Sequence, residues 1–366
     1  MSDIIKDTIY YNIHNILSIQ VNRPKCFDIC KDISLPFSYF ETKQIEKPDV
    51  IVNIGSYKPH NNECHVIDHK YYIKNSYIYC SERVGKITID VEIRNLEGNP
   101  TIINVSSNII KFKQFLFPFA LMQYVVLRPL IDYKLLSKNI LSLHAAAVAC
   151  KDESYVFLGR GGTYKTTLLM DYIRKMNYSF LGDDRVLVNK NIVMSYPLNY
   201  KLFDYRVGNM ETEDFSVFDK YKYFLNTKSN REKPQYIVDK SNISSFYSIN
   251  KSMNKRFEIT QKTKTEVISK TLYSHKMETI GGLGIMGISK GLYDYFTAYS
   301  YVFPDSKIAH YWDDYELLLT HFLNQETFYE ISLPLHYTSS TFNDFMRIIK
   351  RLENNSCKLE TIPSII

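Results

Sequence analysis

LHAAAVACKDESYVFLGRGGTYKTTLLMDYIRKMNYSFLGDD, running from Leu143 to Asp184, changes pattern several times along its length. Tyr155-Val156-Phe157-Leu158 is a short apolar run that stops at Gly159, as a buried strand does when it enters a turn. Arg160-Gly161-Gly162-Thr163-Tyr164 follows, and Lys165-Thr166-Thr167 opens a segment with Leu168, Leu169, Tyr172 and Ile173 on one helical face. Strand, glycine-rich loop, Lys-Thr and helix form a layout suited to a nucleoside triphosphate. Backbone N–H groups of the loop and the positive end of the helix cradle phosphates, and the lysine reaches the β and γ oxygens. On this reading Gly159 to Thr167 bind ATP, and the Thr166 hydroxyl is a ligand for Mg2+. The usual pattern, G-x-x-x-x-G-K-[ST], has glycine before the lysine, whereas this chain has Tyr164, whose Cβ restricts the backbone and crowds the phosphates.

Two neighbours extend the site. Phe180-Leu181-Gly182 runs into Asp183-Asp184, an acidic pair at the expected end of a second strand. Upstream, Leu141 to Val148 reads as one strand carrying His144. In parallel α/β sheets ligands gather at the carboxyl ends of strands, which puts the loop and the acidic pair on one rim. His144 lies near the start of its strand, so that rule does not bring it to them.

The order Leu143-His144-Ala145, then the Gly159 to Thr166 loop, then Asp183-Asp184 resembles the HPr kinase/phosphorylase superfamily, including its smaller kinase-like relatives. Ile280-Gly281-Gly282-Leu283-Gly284-Ile285 is similar to that family's second signature, which reads roughly E-I-R-G-L-G-I. The departures are Tyr164, Gly281 in place of arginine, and Glu278 one place away from the signature's glutamate. The resemblance is good from about Leu141 to Val188, patchy to Ile288 and general elsewhere. It implies a P-loop kinase core of the HPr kinase C-terminal type, with Glu278, Gly281, Gly282 and Gly284 at an active-site loop. It also implies that His144 sits beside Asp183 and tunes its protonation. Family members phosphorylate seryl hydroxyls of proteins, and relatives use peptides or small molecules.

Phosphoryl transfer is mostly positioning and charge stabilisation. Lys165 would hold the phosphates, Thr166 and Asp184 the metal, and Asp183 would take the proton of an acceptor hydroxyl; the reverse assignment of the two aspartates stays open. Two other readings stay open too: a nucleotide-binding regulator without catalysis, and an NTPase whose acceptor is water. Self-association is likewise left open.

The chain's 366 residues leave room for a large core and two domains, and 45% apolar with 14% aromatic residues excludes a disordered chain. A net charge of +6 fits anionic substrates but falls short of a nucleic-acid footprint. The six cysteines include no CxxC pair, and the N-terminus shows no basic region followed by an apolar core, so a reduced, cytoplasmic protein is expected. The longest apolar run, Phe115 to Leu127, is shorter than the roughly 20 residues a membrane span needs, and it reads as a core helix.

Residues 1–108 read as a β-rich domain, with short runs such as Val50–Ile54, Lys86–Ile93 and Thr101–Val105 rich in β-branched residues. His60, Cys64, His65 and His69 cluster there, but the strand-and-turn pattern around them favours a hairpin over a metal site. Residues 109–140 read as a linking helix divided at Pro118 and Pro129, and 141–366 as the α/β nucleotide domain, α+β overall with the β-rich part. Within it, Lys201-Leu202-Phe203 is expected as a strand. The lysine-rich stretch 215–276 is expected as a solvated surface insertion or a mobile basic lid. Helices are expected near Trp312–Leu323 and Ser339–Glu353, with a strand at Phe328–Leu333 between them.

Overall fold

Alternating apolar and polar residues build the first sheet. In Val50–Ile54, Val50, Val52 and Ile54 are buried while Ile51 and Asn53 are half-buried, as expected for a strand with only one face on the core. The computed structural model describes residues 6–24, 37–84, 87–108, 127–198, 200, 203, 207, 234–254, 256–280, 294–325 and 327–356. Nine of its strands are β1 (Lys6–Ile13), β2 (Leu17–Pro24), β3 (Glu41–Thr42), β4 (Val50–Ile54), β5 (His65–Ile67), β6 (Tyr71–Lys74), β7 (Tyr77–Val84), β8 (Ile87–Arg94) and β9 (Thr101–Ser107). They lie in the order β3-β1-β2-β4-β9-β8-β7-β6-β5. The sheet is mixed: β2, β4 and β9 run parallel, and β9 to β5 form an antiparallel meander.

Helix α1 (Arg128–Leu136) follows, with Pro129 in its first turn. Proline is tolerated there because first-turn N–H groups have no helical partner, so Pro129 starts the helix where the sequence reading had it divide a longer one. The upstream part of that expected helix, with Pro118, lies outside the described residues.

The second sheet contains β10 (Leu141–Leu143), β11 (Ala145–Cys150), β12 (Glu153–Leu158), β13 (Ser179–Gly182), β14 (Val186–Asn189), β15 (Ile192–Met194), β16 (Lys240–Lys251), β17 (Glu258–Lys262) and β18 (Phe328–Leu333). Its helices are α2 (Lys165–Met176), α3 (Lys264–Ile280), α4 (Tyr295–Val302), α5 (Tyr311–Phe322) and α6 (Ser339–Ser356). The molecule is therefore α+β, with two large mixed sheets and six helices among the described residues.

Strand β16 is the spine of this sheet. Along one edge it pairs first with β15 and then with β18; along the other it runs parallel to β12. For Lys240–Lys251 this corrects the reading of 215–276 as a surface insertion; residues 215–233 lie outside the described residues. Serines, asparagine and end lysines make Lys240–Lys251 look solvated, yet Ser241, Phe246, Tyr247 and Ile249 are buried. The polar residues in between are half-buried or exposed, which is why the segment reads as solvated. Of the expected strand Lys201-Leu202-Phe203, only Phe203 is described, and it is helical and buried.

A second correction concerns Leu141–Val148. The chain breaks at His144: β10 pairs with β14, whereas β11 lies between β12 and β13, antiparallel to both. Both faces of β11 are buried. Ala145, Ala147 and Ala149 face a core shared with the first sheet and with α1, α3, α4 and α5, while Ala146 and Val148 face a core made with α2 and α6. Small side chains suit a strand covered on both sides. The expected apolar face of α2 is packed in this second core through Leu168, Leu169 and Tyr172, opposite Phe342 and Phe345 of α6.

The two sheets share the first core, and polar contacts tie them as well. Lys138 Nζ donates to Ile16 O (2.6 Å) and Asp49 Oδ1 (2.9 Å), and the Tyr39 hydroxyl donates to Asp239 Oδ1 (3.0 Å).

Candidate functional site

Register brings the site together. Ala145, the first residue of β11, faces Leu158, the last of β12, and Ala147 faces Gly182, the last of β13. Because β11 runs against its neighbours, its start lies on the rim where theirs end. His144, Gly159 and Asp183 therefore meet at one edge. The rule for parallel strands could not bring the histidine here; the antiparallel direction of β11 does.

The loop between β12 and α2 is set by close packing. A Cβ at Gly159 would lie 2.4 Å from the Ile249 carbonyl oxygen of β16, so the strands can approach there only with glycine. Gly162 has φ of +80° and Tyr164 has φ of +65°, both left-handed. The position before the lysine thus takes the conformation glycine favours, although a tyrosine occupies it. The side chain is held from three directions. The hydroxyl of Tyr164 donates to Leu335 O, its ring packs 5.3 Å from that of Tyr337, and the Lys251 ammonium lies 4.3 Å from its ring centroid. Tyr337 in turn donates to Asp171 Oδ2 of α2 at 2.8 Å.

No side chain caps α2 at Tyr164, so the positive end of the helix faces the loop. Lys165 is buried beneath the loop; its ammonium donates to Gly159 O (2.6 Å), Arg160 O (2.8 Å) and His144 Nε2 (3.3 Å). Burial lowers its pKa below the ordinary lysine value, and the charges of Asp184, Asp183 and Glu278 oppose that shift. Glu278, near the end of α3, is therefore within electrostatic reach of Lys165. Gly281, Gly282 and Gly284 lie outside the described residues.

The two aspartates part company. Thr166 Oγ1 donates to Asp183 Oδ1 at 3.0 Å. Asp184, with φ of +70°, turns the other way, placing Oδ2 3.2 Å from Arg128 Nη2 and Oδ1 3.3 Å from His144 Nδ1. The left-handed bend after β13 sends consecutive side chains to different partners. Of the two assignments the sequence left open, the one with Asp183 beside the Thr166 hydroxyl is present, and His144, expected beside Asp183, meets Asp184 instead. A hydroxyl beside a carboxylate is a hard oxygen pair of the kind Mg2+ takes, so Thr166 and Asp183 fit that ion, while Asp184 is engaged by a guanidinium. No group of three or more His, Cys, Asp or Glu side chains that could hold a metal occurs among the described residues, the His60–His69 stretch included.

Burial drives the His144 pKa down to about 3, with Asp184 opposing and Lys165, Arg185 and Arg128 adding to the fall. The imidazole is neutral at physiological pH. Nε2 accepts from Lys165, which leaves the proton on Nδ1; that atom lies 3.3 Å from Asp184 Oδ1 but outside hydrogen-bond geometry. The Asp184 side chain is half-exposed, yet desolvation by the protein around its carboxyl pushes upward; Arg128, His144, Arg185 and Lys165 together outweigh it and hold the carboxyl below its ordinary value.

Arg128, Arg185 and His275 escaped the sequence reading, and Lys251 was read only as one cation of a basic stretch. Arg185 is 1% exposed and pairs with Asp132 Oδ2 at 2.7 Å and Ser142 Oγ at 3.0 Å, joining α1 to the sheet behind the acidic pair. His275 is stacked on Tyr315 at 4.3 Å and contacts Tyr311 Oη at 3.2 Å. A signal existed for the two arginines. Arg128 closes an apolar run just before a proline, and Arg185 opens an apolar strand, where a cation must find a buried partner. No protein-family model matches the chain, and no curated protein does either.

Proposed function

We propose that the chain is a phosphotransferase that moves the γ-phosphate of ATP to a hydroxyl acceptor, working on the rim where β11, β12 and β13 meet. One observation carries this reading. Lys165 is drawn under a glycine loop at an uncapped helix N-terminus, and the Thr166 hydroxyl beside it is bonded to a carboxylate from the neighbouring strand end. This combination has no evident role in packing, and it has the parts that phosphate binding requires.

In this reading the chain is a P-loop kinase of the HPr kinase-like kind. Loop N–H groups and α2 hold the phosphates, and the Lys165 ammonium leaves the Gly159 and Arg160 carbonyls for β and γ oxygens. Thr166 and Asp183 would hold Mg2+, which when bound would supply charge neutralisation on those phosphates. Asp184, ionised and with its side chain 52% exposed, is the carboxylate open to an acceptor hydroxyl, oriented by Arg128 and His144. The acceptor is a serine of a protein or peptide or a small molecule, and the resemblance to the HPr kinase/phosphorylase superfamily favours the serine. No described helix is long and apolar enough to cross a membrane.

A nucleotide-binding regulator is the second reading, favoured by the Arg128–Asp184 ion pair that occupies a carboxylate needed for chemistry. The test joins calorimetry with label transfer. Lys165→Ala should weaken ATP–Mg2+ binding by about 1.5–3 kcal/mol, roughly 10- to 150-fold. Asp183→Asn should raise the Mg2+ requirement, and γ-labelled ATP should mark an acceptor from a cell extract. Equal ATP affinity in wild type and Lys165→Ala ends the phosphate-site reading; binding with neither labelled product nor phosphate release leaves the regulator.

A further inference from the structure

Lys251 ends β16, the strand that lies directly beside β12 and touches the first residue of the loop through the Ile249 carbonyl. Its ammonium is placed over Tyr164, the residue at which α2 begins. Among the described residues no carboxylate lies within ion-pair distance of it. In the same basic stretch Lys262 pairs with Glu266 and Lys270 with Glu330, whereas Lys240, Lys264 and Lys276, like Lys251, have no carboxylate partner among the described residues; what sets Lys251 apart is its place over the residue that precedes Lys165. The position is electrostatically wrong for an unpaired cation, since a helix N-terminus carries positive charge and favours anions. Arg160 and Lys165 add two more cations to the same loop. A cation so placed is stabilised when an anion joins it.

The flank it occupies says which part of the anion. In the order β16-β12-β11-β13, the acidic pair follows β13 on one side of the loop and Lys251 ends β16 on the other. With strands about 4.8 Å apart, β16 and β13 are separated by roughly 14 Å. A phosphate beside Thr166 and Asp183 is therefore out of Lys251's reach, whereas the other end of a polyphosphate chain crossing the loop comes towards it.

We infer that Lys251 is a second phosphate-binding residue of this site, contacting the α-phosphate of the bound nucleotide on the flank opposite the acidic pair. The inference rests on the phosphotransferase reading in that both need a nucleotide on the loop. The test uses ADP with wild type, Lys251→Gln, Lys251→Arg and Lys165→Ala, read by calorimetry, phosphorus NMR and melting temperature. Lys251→Gln should weaken ADP binding about tenfold, as expected for one charge-assisted contact. It should move the α-phosphorus signal of bound ADP, leave the β signal in place and lower the melting temperature only by the small amount that loss of one ring contact brings. Lys251→Arg should recover most of the affinity. Unchanged affinity in Lys251→Gln, with binding lost in Lys165→Ala, overturns this inference alone. A loss of affinity accompanied by a larger fall in melting temperature and a displaced β signal also overturns it, because Lys251 then acts only by supporting Tyr164. Absence of ADP binding in wild type overturns it together with the reading beneath it.

Discussion

At the scale of single residues, Tyr164 is the position where local preference and tertiary packing disagree. A left-handed tyrosine costs about 1–2 kcal/mol relative to a right-handed one. Against that stand a ring pair with Tyr337, a hydroxyl bond to Leu335 O and the Lys251 contact. Those contribute about 0.5–1.5, 0.5–1.5 and 0.5–1 kcal/mol respectively, and glycine would add backbone entropy to the unfolded chain. The anchors win. Tyr164→Gly should therefore lower stability by about 1 kcal/mol or more despite removing the strained conformation, as thermal melting will register; a more stable glycine variant would refute this balance. The sequence alone made the tyrosine look like a defect, since φ can be guessed from a motif but the wall that receives the ring comes from a loop more than 160 residues away. The acidic pair illustrates the same limit. Asp183-Asp184 was legible as an acidic pair on the same rim as the loop, but which carboxylate meets Thr166 depends on one bend in the backbone.

At the scale of elements, long periodic segments were readable and mixed-polarity ones were not. α2, α5, α6 and β18 lie where apolar spacing puts them, because each buries one clear face. β16 was hidden, since its alternation is filled with serine and asparagine and its neighbours are lysine-rich. Phe246 separates the two descriptions. It is 2% exposed inside the sheet, and truncating a buried phenylalanine costs about 3–5 kcal/mol. Phe246→Ala should therefore lose that much in denaturant unfolding; a change within about 0.5 kcal/mol would return the segment to the surface. The break at His144 was also unreadable, because Leu141-Ser142-Leu143 before it and Ala145 to Val148 after it read as one mostly apolar run, and the strand's partners change without a turn signal.

At the scale of the whole molecule, both sheets draw on one core, and ionisable groups are buried where α1, α3 and α5 close over it. His275 is among them, its pKa driven well below the ordinary histidine value by burial, with Arg185, Arg128 and His144 adding to the fall. The unfolded chain takes up a proton as pH drops through about 6.5, whereas the folded imidazole does not, so stability must fall on the acid side. Each such histidine contributes a slope of up to about 1.4 kcal/mol per pH unit. His144 behaves alike until its own value of about 3 is reached. Between pH 6 and 5, His275→Phe should roughly halve the slope of unfolding free energy against pH while keeping the stack on Tyr315. An unchanged slope would mean that His275 is protonated in the fold. The hairpin of β11 and β12 has a practical corollary for anyone handling the protein. Its two arms carry His144 and Gly159 at their tips, joined by a reverse turn whose exposed Lys151 lies about six residues, or roughly 20 Å, from the rim. The hairpin is a caliper with its hinge on the outside, and a dye or tether fixed to Lys151 can be attached without touching the jaws.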